Sequence, residues 1–535
     1  MSESAQAETR SRGLGTSGLT LPAVLDRHAF ALAVAGITVT AAAFLFHQLL
    51  AWQPHEDETL ALFVGRYPLD QLLQVVLEER GGAPLHFVLA WIVAHLGLGL
   101  GGLRTVSALF AVASLPLVAL LGLRLAGRRQ ALIATVVVGA SWTFLFHGVY
   151  GRMYSLFLFT SALSYLALLI ALDLGDRRSW SLWALAILAT VATHPYGGLV
   201  LATQGAYVLV ARRDRLRQAL LAGAAVVVLG TPFWLTNLVL ADRFGVGVGG
   251  GGERLGGPWP VARYLWRVAG DFTTGWWPLT ILALVLVGLG LRRLPRQAVA
   301  LLACVIGVPT LAFMLAQLGN ATSPETRHLI FALPLVALAT AGGILRLGRL
   351  APFALAALLV SQVAWAWDRT PQLFEWEPDV RQTARAGASS YLAATGRPDD
   401  VLFGFEPLYL GAWERNPDFP LTVLPRADSK LALSTLQELD RPLGRGLWIL
   451  DASSNNNFSP SLEIPFHTPE PRSAFEVRRF GPFLVIRTTQ PTRTPARYLE
   501  RAAQALQVGK SLYIGDADIN LATVERARRS LAGAG

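Results

Sequence analysis

Three consecutive carboxylates, Glu56-Asp57-Glu58, follow directly on a long apolar run that ends at Leu50. A carboxylate held at a fixed depth beside a membrane suits a general base that takes the proton of an attacking hydroxyl. Plain solvation of surface acids is an equally good reading of the trio taken alone. The stretch 59–79 adds weight to the chemical one, because Leu60, Leu62, Phe63, Leu69, Leu72, Leu73 and Val76 give it an amphipathic pattern. Such a helix is expected to lie on the membrane and hold the acids at one depth. The matching cations are Arg152 in "YGRMYSL" and Arg327, beside His328, in "ETRHLIFALP". Arginine at a span end often snorkels to the interface, yet two of them facing the acidic loop would also hold a phosphate leaving group. Five of the nine histidines (His47, His55, His147, His194 and His328) fall near the same ends. No H-E-x-x-H or comparable ligand spacing occurs, so no cofactor is expected from spacing, while a divalent metal stays open.

The elements that must position these residues are membrane spans. Of 535 residues, 53% are hydrophobic and only 15% charged, against about 25% charged in soluble chains. Apolar runs recur from Ala29 to Trp367 and then stop. The expected organisation is a tail of residues 1–28 on the cytoplasmic side, a membrane domain over 29–367, and a soluble domain over 368–535. The net charge of +10 comes almost wholly from arginine, since Lys430 and Lys510 are the only lysines. These arginines sit in short clusters between apolar runs, a topology signal rather than a nucleic-acid stripe, so no nucleic-acid partner is expected. Cys304 is the single cysteine, which excludes an intrachain disulfide. The run Ala29–Leu50 lacks a following small-residue cleavage site and reads as an uncleaved anchor.

Placing the clusters Arg128-Arg129, Arg177-Arg178, Arg212 to Arg217, Arg292 to Arg296, and Arg346 with Arg349 in the cytoplasm gives a consistent path. It has about eleven spans: 29–50, 104–125, 130–147, 155–173, 180–194, 197–211, 218–238, 278–291, 298–317, 328–345 and 351–367. Counting Pro84–Leu100 as a further span would turn every later cluster outward, so it reads as an interfacial or re-entrant helix. The outer face then collects loop 51–103 with the acids, His147 to Tyr154, His194-Pro195-Tyr196, loop 239–277 and Ser323 to His328. Gly245-Val-Gly247-Val-Gly-Gly250 matches G-x-G-x-x-G in form, but it follows no expected strand and opens no helix, so it reads as a glycine-rich loop. In the soluble domain, strands are expected at 401–405, 421–424, 447–450 and 483–486, and helices near 377–395, 430–440, 494–507 and 517–532. The domain is a small α/β unit outside the membrane, with a substrate-binding or structural role.

Taken in order, "EDETLAL", "APLHFVLAW", "LRTVSALFAV", "YGRMYSLFLF", "THPYGG" and "TRHLIFALPL" resemble the GT-C membrane glycosyltransferases, the superfamily of the protein O-mannosyltransferases and the lipid A aminoarabinose transferase. The resemblance covers about residues 29–367. It implies a polytopic α-helical GT-C-like protein of the plasma membrane with an extracytoplasmic C-terminal α/β domain. It also implies transfer of a sugar, with inversion, from a polyprenyl-phosphate donor to a hydroxyl of a glycan, lipid or protein. Asp57 would be the catalytic carboxylate with Glu58 beside it, and Arg152, Tyr154, His194, Arg327 and His328 would contact the lipid-linked donor. Many relatives carry His-Pro or Lys-Pro where Gly82-Ala83-Pro84 stands here, so that contact would either be lost or pass to Arg80. They also place a second acid just ahead of R-x-Y, where this chain has Val149-Tyr150-Gly151. Two rivals belong to other classes. A transporter would bury ionisable residues at the midplane and show related halves, whereas these spans are nearly free of acids. A non-catalytic scaffold with an outer domain would tolerate loss of Asp57.

The orientation has a direct test. In a Cys304→Ala background, single cysteines at Ser323 and Ser454 should react with an impermeant thiol reagent in intact cells, and one beside Arg128 should not. Labelling beside Arg128 from outside would overturn the arginine-based topology.

Overall fold

The computed structural model describes residues 21–80, 82–245, 257–315, 324–426, 428–452, 472–511 and 517–533. In chain order the membrane part comprises α1 (Leu21–His47), α2 (Glu56–Val64), α3 (Leu69–Gln74), α4 (Pro84–His95), α5 (Gly99–Ala126), α6 (Arg128–Ala140), α7 (Trp142–Val149), α8 (Tyr154–Leu174) and α9 (Arg177–Thr193). It continues through α10 (Gly197–Ala211), α11 (Leu216–Leu229), α12 (Thr231–Gly245), α13 (Pro258–Phe272), α14 (Trp277–Leu291), α15 (Arg296–Leu315), α16 (Leu333–Arg346) and α17 (Ala351–Arg369). The remainder is α18 (Asp379–Thr395), β1 (Val401–Phe403), α19 (Pro407–Arg415), β2 (Thr422–Leu424), α20 (Ser429–Gln437), β3 (Gly446–Asp451), β4 (Phe475–Phe480), β5 (Phe483–Thr488), α21 (Pro495–Ser511) and α22 (Ala517–Gly533).

Among the described residues, helix fills most of each of the eleven expected spans, but not all are single straight rods. Among the described residues, six helices are long and apolar enough to cross a membrane, and nine if each of three bent pairs is one span. The chain is thus a multi-pass membrane protein. Helices α9 and α10, with 17 and 15 residues, are shorter than each of those six. The bends have local causes. Helices α6 and α7 meet at 57°, where Ser141 leaves helical geometry and its hydroxyl caps the Phe144 amide at 3.3 Å, a start signal for a new helix. Helices α11 and α12 meet at 59° around Gly230 and Pro232, which suit a kink rather than a continuous rod. The 12-residue α4 is too short to span, in keeping with its reading as interfacial or re-entrant.

The ends of the bundle separate two kinds of charge. Asp173, near the end of α8, receives Arg124 from α5 at 2.5 Å and Arg212 from the end of α10 at 3.1 Å. Tyr154 starts the same helix, about 28 Å away at 1.5 Å per residue. The arginine clusters and the acidic loop therefore lie at opposite ends.

The C-terminal part is a five-stranded sheet in the order β2-β1-β3-β5-β4, parallel between β1 and both β2 and β3, and antiparallel between β3, β5 and β4. Alternation divides its faces. Val401, Phe403, Trp448, Leu450, Leu484 and Ile486 face one core with Tyr498, Leu499 and Leu506 of α21 and Val524 of α22. Leu402, Leu447, Ile449, Phe483 and Val485 face another. Strand β4 and helix α19 lie outside the expected elements, whereas the other expected strands and helices of this part are present.

That second core corrects one expectation. The stretch 59–79 is not one helix lying on a membrane: it is α2, α3 and a π-helical turn, Val75–Arg80. Pro68 disfavours helix at the residue before it, which separates α2 from α3. The apolar residues Ala61, Leu62, Phe63, Val64, Leu72 and Val76 are buried with Phe405, Leu408, Trp413 and the sheet. The Phe63 ring lies 4.6 Å from that of Trp413. At the end of α2, a Cβ on Gly65 would meet the Ala90 carbonyl oxygen at 2.8 Å, so glycine is what permits α2 to cross α4 so closely. The expected loop 239–277 likewise contains a helix, α13, while residues 246–250 of the glycine-rich motif lie outside the described residues.

Candidate functional site

Asp57 and Glu58 occupy the first turn of α2, and the turn is built around them. His55 caps the helix: its Nδ1 accepts from the Asp57 amide at 3.2 Å, while its own amide donates to Glu58 Oε2 at 2.8 Å. Acids in a first turn also oppose the helix dipole. Adjacent residues on a helix point in different directions, so the two carboxylates meet different surroundings.

Glu58 points inward and is fully buried, as is Arg104 of α5. Arg104 Nε and Nη2 donate to Glu58 Oε1 and Oε2, both at 2.8 Å. The remaining donors of Arg104 reach the carbonyls of Leu49 (2.8 Å), Trp52 (3.0 Å) and Gln53 (2.9 Å). Glu58 Oε1 also accepts from the Gly151 amide at 2.7 Å. Burial raises the Glu58 carboxyl, but Arg104 and these amides outweigh it and hold it below its usual range. Its lone pairs are all engaged, so the expectation that Glu58 shares the catalytic role gives way to an anchoring one. The guanidinium also stacks over the Trp52 ring at 5.1 Å.

Asp57 is directed away from that ion pair, its side chain 30% exposed. Tyr150 Oη donates to its Oδ2 at 3.1 Å, Arg152 Nη2 lies 3.5 Å away, and His55 Nδ1 3.7 Å. Burial would raise the Asp57 carboxyl, yet Arg152, His55, Arg327 and the Tyr150 hydroxyl together hold it well below the usual carboxylate range. The Tyr150 hydroxyl, conversely, is pushed up by burial and by Asp57, and stays protonated. In the stretch Val149-Tyr150-Gly151, which holds no acid, Tyr150 thus supplies a hydrogen-bond donor to Asp57.

The other expected residues gather around this carboxylate. Tyr154 opens α8, and the Arg327 guanidinium lies 4.9 Å from the centre of its ring. Arg327 and His328 sit in a 3-10 turn, Thr326–Ala332; Arg327 Nη2 donates to Glu325 at 2.7 Å and the Tyr154 hydroxyl lies 3.4 Å from His328 Nε2. His194, at the end of α9, has its ring centre 5.1 Å from that of His328 and 5.7 Å from that of Tyr154. Arg152 Nε and Arg327 Nε are buried and without a hydrogen-bond partner. The side chain of Arg80 lies outside the described residues. Among the described residues, no group of three or more His, Cys, Asp or Glu side chains is arranged to hold a metal ion.

Sequence reasoning missed several members. His86 in α4 is buried, with Nε2 unpartnered; burial and the nearby Arg152 push its imidazole down to about 3, so it is neutral. Asp271 of α13 accepts from Arg369 Nη2 at 3.1 Å and from the Thr326 hydroxyl, one residue before Arg327. Arg369 in turn stacks over Trp142 at 4.2 Å. An acid alone in a long loop gave no signal of such a role. From the C-terminal part, Arg426 Nε lies 2.9 Å from Glu56 Oε1, and the Phe405 amide donates to the same oxygen at 3.2 Å.

No family model matches the chain, and no curated protein matches it. Solved structures do. ArnT from Cupriavidus metallidurans in the apo state is similar with a TM-score of 0.56 at 14% identity, over 86% of this chain and 98% of that one. The structure of ArnT from the same organism bound to undecaprenyl phosphate is similar with a TM-score of 0.54 at 14% identity, over 85% and 97%. At that identity the likeness is one of fold.

The two neighbouring acids should separate cleanly. Glu58→Gln leaves Arg104 buried without its counter-charge, a loss of about 3–5 kcal/mol, and should lower the thermal unfolding temperature of detergent-purified protein. Asp57→Asn, at a position 30% exposed, should cost clearly less stability than Glu58→Gln. A Glu58→Gln protein as stable as wild type would remove the anchoring role.

Proposed function

On the premise that the chain has the fold of the GT-C membrane glycosyltransferases, we propose that it moves a sugar from a polyprenyl-phosphate donor to an acceptor hydroxyl, inverting the anomeric centre at the outer face of the plasma membrane. The observation that carries this is the half-buried Asp57 carboxylate beside Arg152 and Arg327, at the end of the spans away from the arginine clusters. One negative group and two guanidiniums meet the two charge demands of the reaction. The glycosyl carbon–phosphate oxygen bond breaks with its electron pair going to the phosphate, whose charge Arg152 and Arg327 stabilise. The acceptor oxygen bonds to the glycosyl carbon from the opposite face, and its proton passes to Asp57.

A carboxylate held well below its ordinary range is a weak base in the free protein. It becomes a stronger one when the donor is in place, because the phosphate offsets the same arginines that depress it. It also takes the proton late, after the attacking hydroxyl has grown acidic. Until then its negative charge faces the positive charge developing on the sugar. The lipid chain would run among the spans, and undecaprenyl phosphate bound to ArnT supports a donor of that kind here. Either a hexosyl or a pentosyl group satisfies these demands, and the acceptor hydroxyl belongs to a glycan, a lipid or a protein. Tyr154, His194 and His328 would line the donor's path, and the C-terminal unit, outside the membrane, would hold the acceptor side.

The test is transfer of label in vesicles. Purified protein should use a polyprenyl-phosphate sugar and leave a nucleotide sugar untouched when no lipid carrier is present. Asp57→Asn should lower turnover by roughly 10²–10⁴-fold with normal membrane insertion; near-wild-type turnover would refute the assignment.

The acid limb of the pH profile supplies a second check. Protonation of Asp57 abolishes its function, so kcat/KM falls as pH drops through its pKa in the free protein, below the ordinary value of about 3.9. Arg152→Gln removes a cation that depresses that pKa and leaves burial to raise it. The limb should move upward, whatever the loss in absolute rate. A limb that stays put would show that Arg152 does not set the charge of the base.

A further inference from the structure

We propose that α13 is a membrane-surface helix whose exposed arginines bind the headgroup phosphates of anionic lipid at the rim of the site. The proposal stands on geometry first. Helix α13 meets α14 at 88°. Helix α14 is apolar from end to end, apart from Thr280, and reads as a span, so α13 lies along the membrane plane. It is 15 residues long, about 22 Å, enough to reach across several headgroups.

Its two faces differ sharply. Val261, Tyr264, Val268, Asp271 and Phe272 are buried against the bundle. The opposite face exposes Trp259, Arg263, Trp266 and Arg267, at positions i, i+4, i+7 and i+8, one side of a helix. Trp259 is 68% exposed, and the Arg263 guanidinium lies 5.8 Å from the centre of its ring. Beyond the bend the same rim exposes Trp277, also at 68%. Indole rings left bare in water forgo burial, whereas at the headgroup level both their apolar body and their N–H are accommodated. The helix's one acid, Asp271, is buried and paired with Arg369, so every charged side chain that the helix itself exposes is an arginine. Tryptophan and arginine together on the exposed side of an in-plane helix match the chemistry of an anionic bilayer surface.

The buried side gives this contact a consequence. Tyr264 Oη donates to the Glu325 carbonyl at 3.1 Å, and Asp271 holds the Thr326 hydroxyl. Both lie beside Arg327, so the height of α13 on the bilayer sets the height of Arg327. The proposal concerns placement in the membrane and holds whether or not a sugar is transferred.

Spin labels report that placement directly. In a Cys304→Ala background, full-length protein carrying a label at Ala262 on the exposed face is reconstituted into phosphatidylcholine vesicles, with and without phosphatidylglycerol. Labels at Asp418 and Leu282 mark water and hydrocarbon. The Ala262 label should read an intermediate, headgroup depth, and phosphatidylglycerol should lower its accessibility to a charged aqueous relaxer several-fold. Arg263→Gln/Arg267→Gln should abolish that lipid-dependent change while the protein stays inserted. A label as open to water as Asp418 assigns the face to solvent or a soluble partner, and one as deep as Leu282 makes the helix part of a span; either overturns the proposal. Equal accessibility in the two kinds of vesicle overturns the headgroup contact.

Discussion

The arrangement of the site depends on one buried ion pair, Glu58 with Arg104. All five N–H donors of the guanidinium are engaged, two by the carboxylate and three by backbone carbonyls at the end of the first span. The carboxylate is saturated in turn by Arg104, the His55 amide and the Gly151 amide. Desolvating two charges is costly, and a buried pair adds little net stability over an apolar one. What it does supply is geometry, since a half-satisfied version would be far worse than either alternative. The pair ties α1, α2, α5 and the turn before α8 at a single point. Asp57 is one residue from Glu58, and Arg152 is one residue from Gly151. Their 3.5 Å approach follows from their neighbours being fixed. A Cβ at position 151 would meet Glu58 Oε1 at 2.8 Å, so the backbone can reach the carboxylate only because that residue is glycine.

The C-terminal unit belongs to the same construction. Helix α2 is short, and its apolar side is covered by the sheet and α19 rather than by lipid. Glu56, the residue before Asp57, is held from that side by Arg426 and the Phe405 amide. Arg426 also pairs with Glu406 at 2.7 Å, a carboxyl that burial pushes up to about 7 against the pull of Arg426. Further out, Arg385 bridges Glu377 and the Gln53 side chain. The turn bearing the acids is thus clamped from the helical bundle through Glu58 and from the C-terminal unit through Glu56. Asp57, between them, is left partly exposed.

Much of this was legible in the sequence, and the omissions share a cause. The spans announced themselves because lipid demands long apolar runs, and the strands because a half-buried sheet alternates. Asp57, Arg152 and Arg327 stood out as charges at the ends of apolar segments. Arg104 also lay in such a segment, within "LRTVSALFAV", yet its partner is 46 residues away. Local pattern carries no information at that range. The error over 59–79 is of the same kind. Periodicity reports that a face is apolar and is silent on whether lipid or protein covers it. Glu58 could be told from Asp57 only by direction, and that direction is set by Arg104.

The charges explain why such a site should hold an anion. Glu58 and Arg104 neutralise each other. His86 contributes none, because burial and Arg152 keep it neutral. At this site Asp57 is then a half-buried carboxylate facing two guanidiniums, Arg152 and Arg327. Glu325, which pairs with Arg327, is more than half exposed and is screened by water. An excess positive charge at a partly desolvated site is unfavourable, and an entering anion relieves it. The buried Nε donors of both arginines supply hydrogen bonds to receive one. A phosphodiester such as the proposed donor fits this demand better than a neutral sugar does, and the monoester it would leave behind carries more charge still. The donor's arrival would also change Asp57, since the arginines that held the carboxyl down would then be shared. On the proposed reaction, the base would strengthen when the donor phosphate is bound and weaken when the leaving group departs, so the same two cations would couple donor binding to proton transfer.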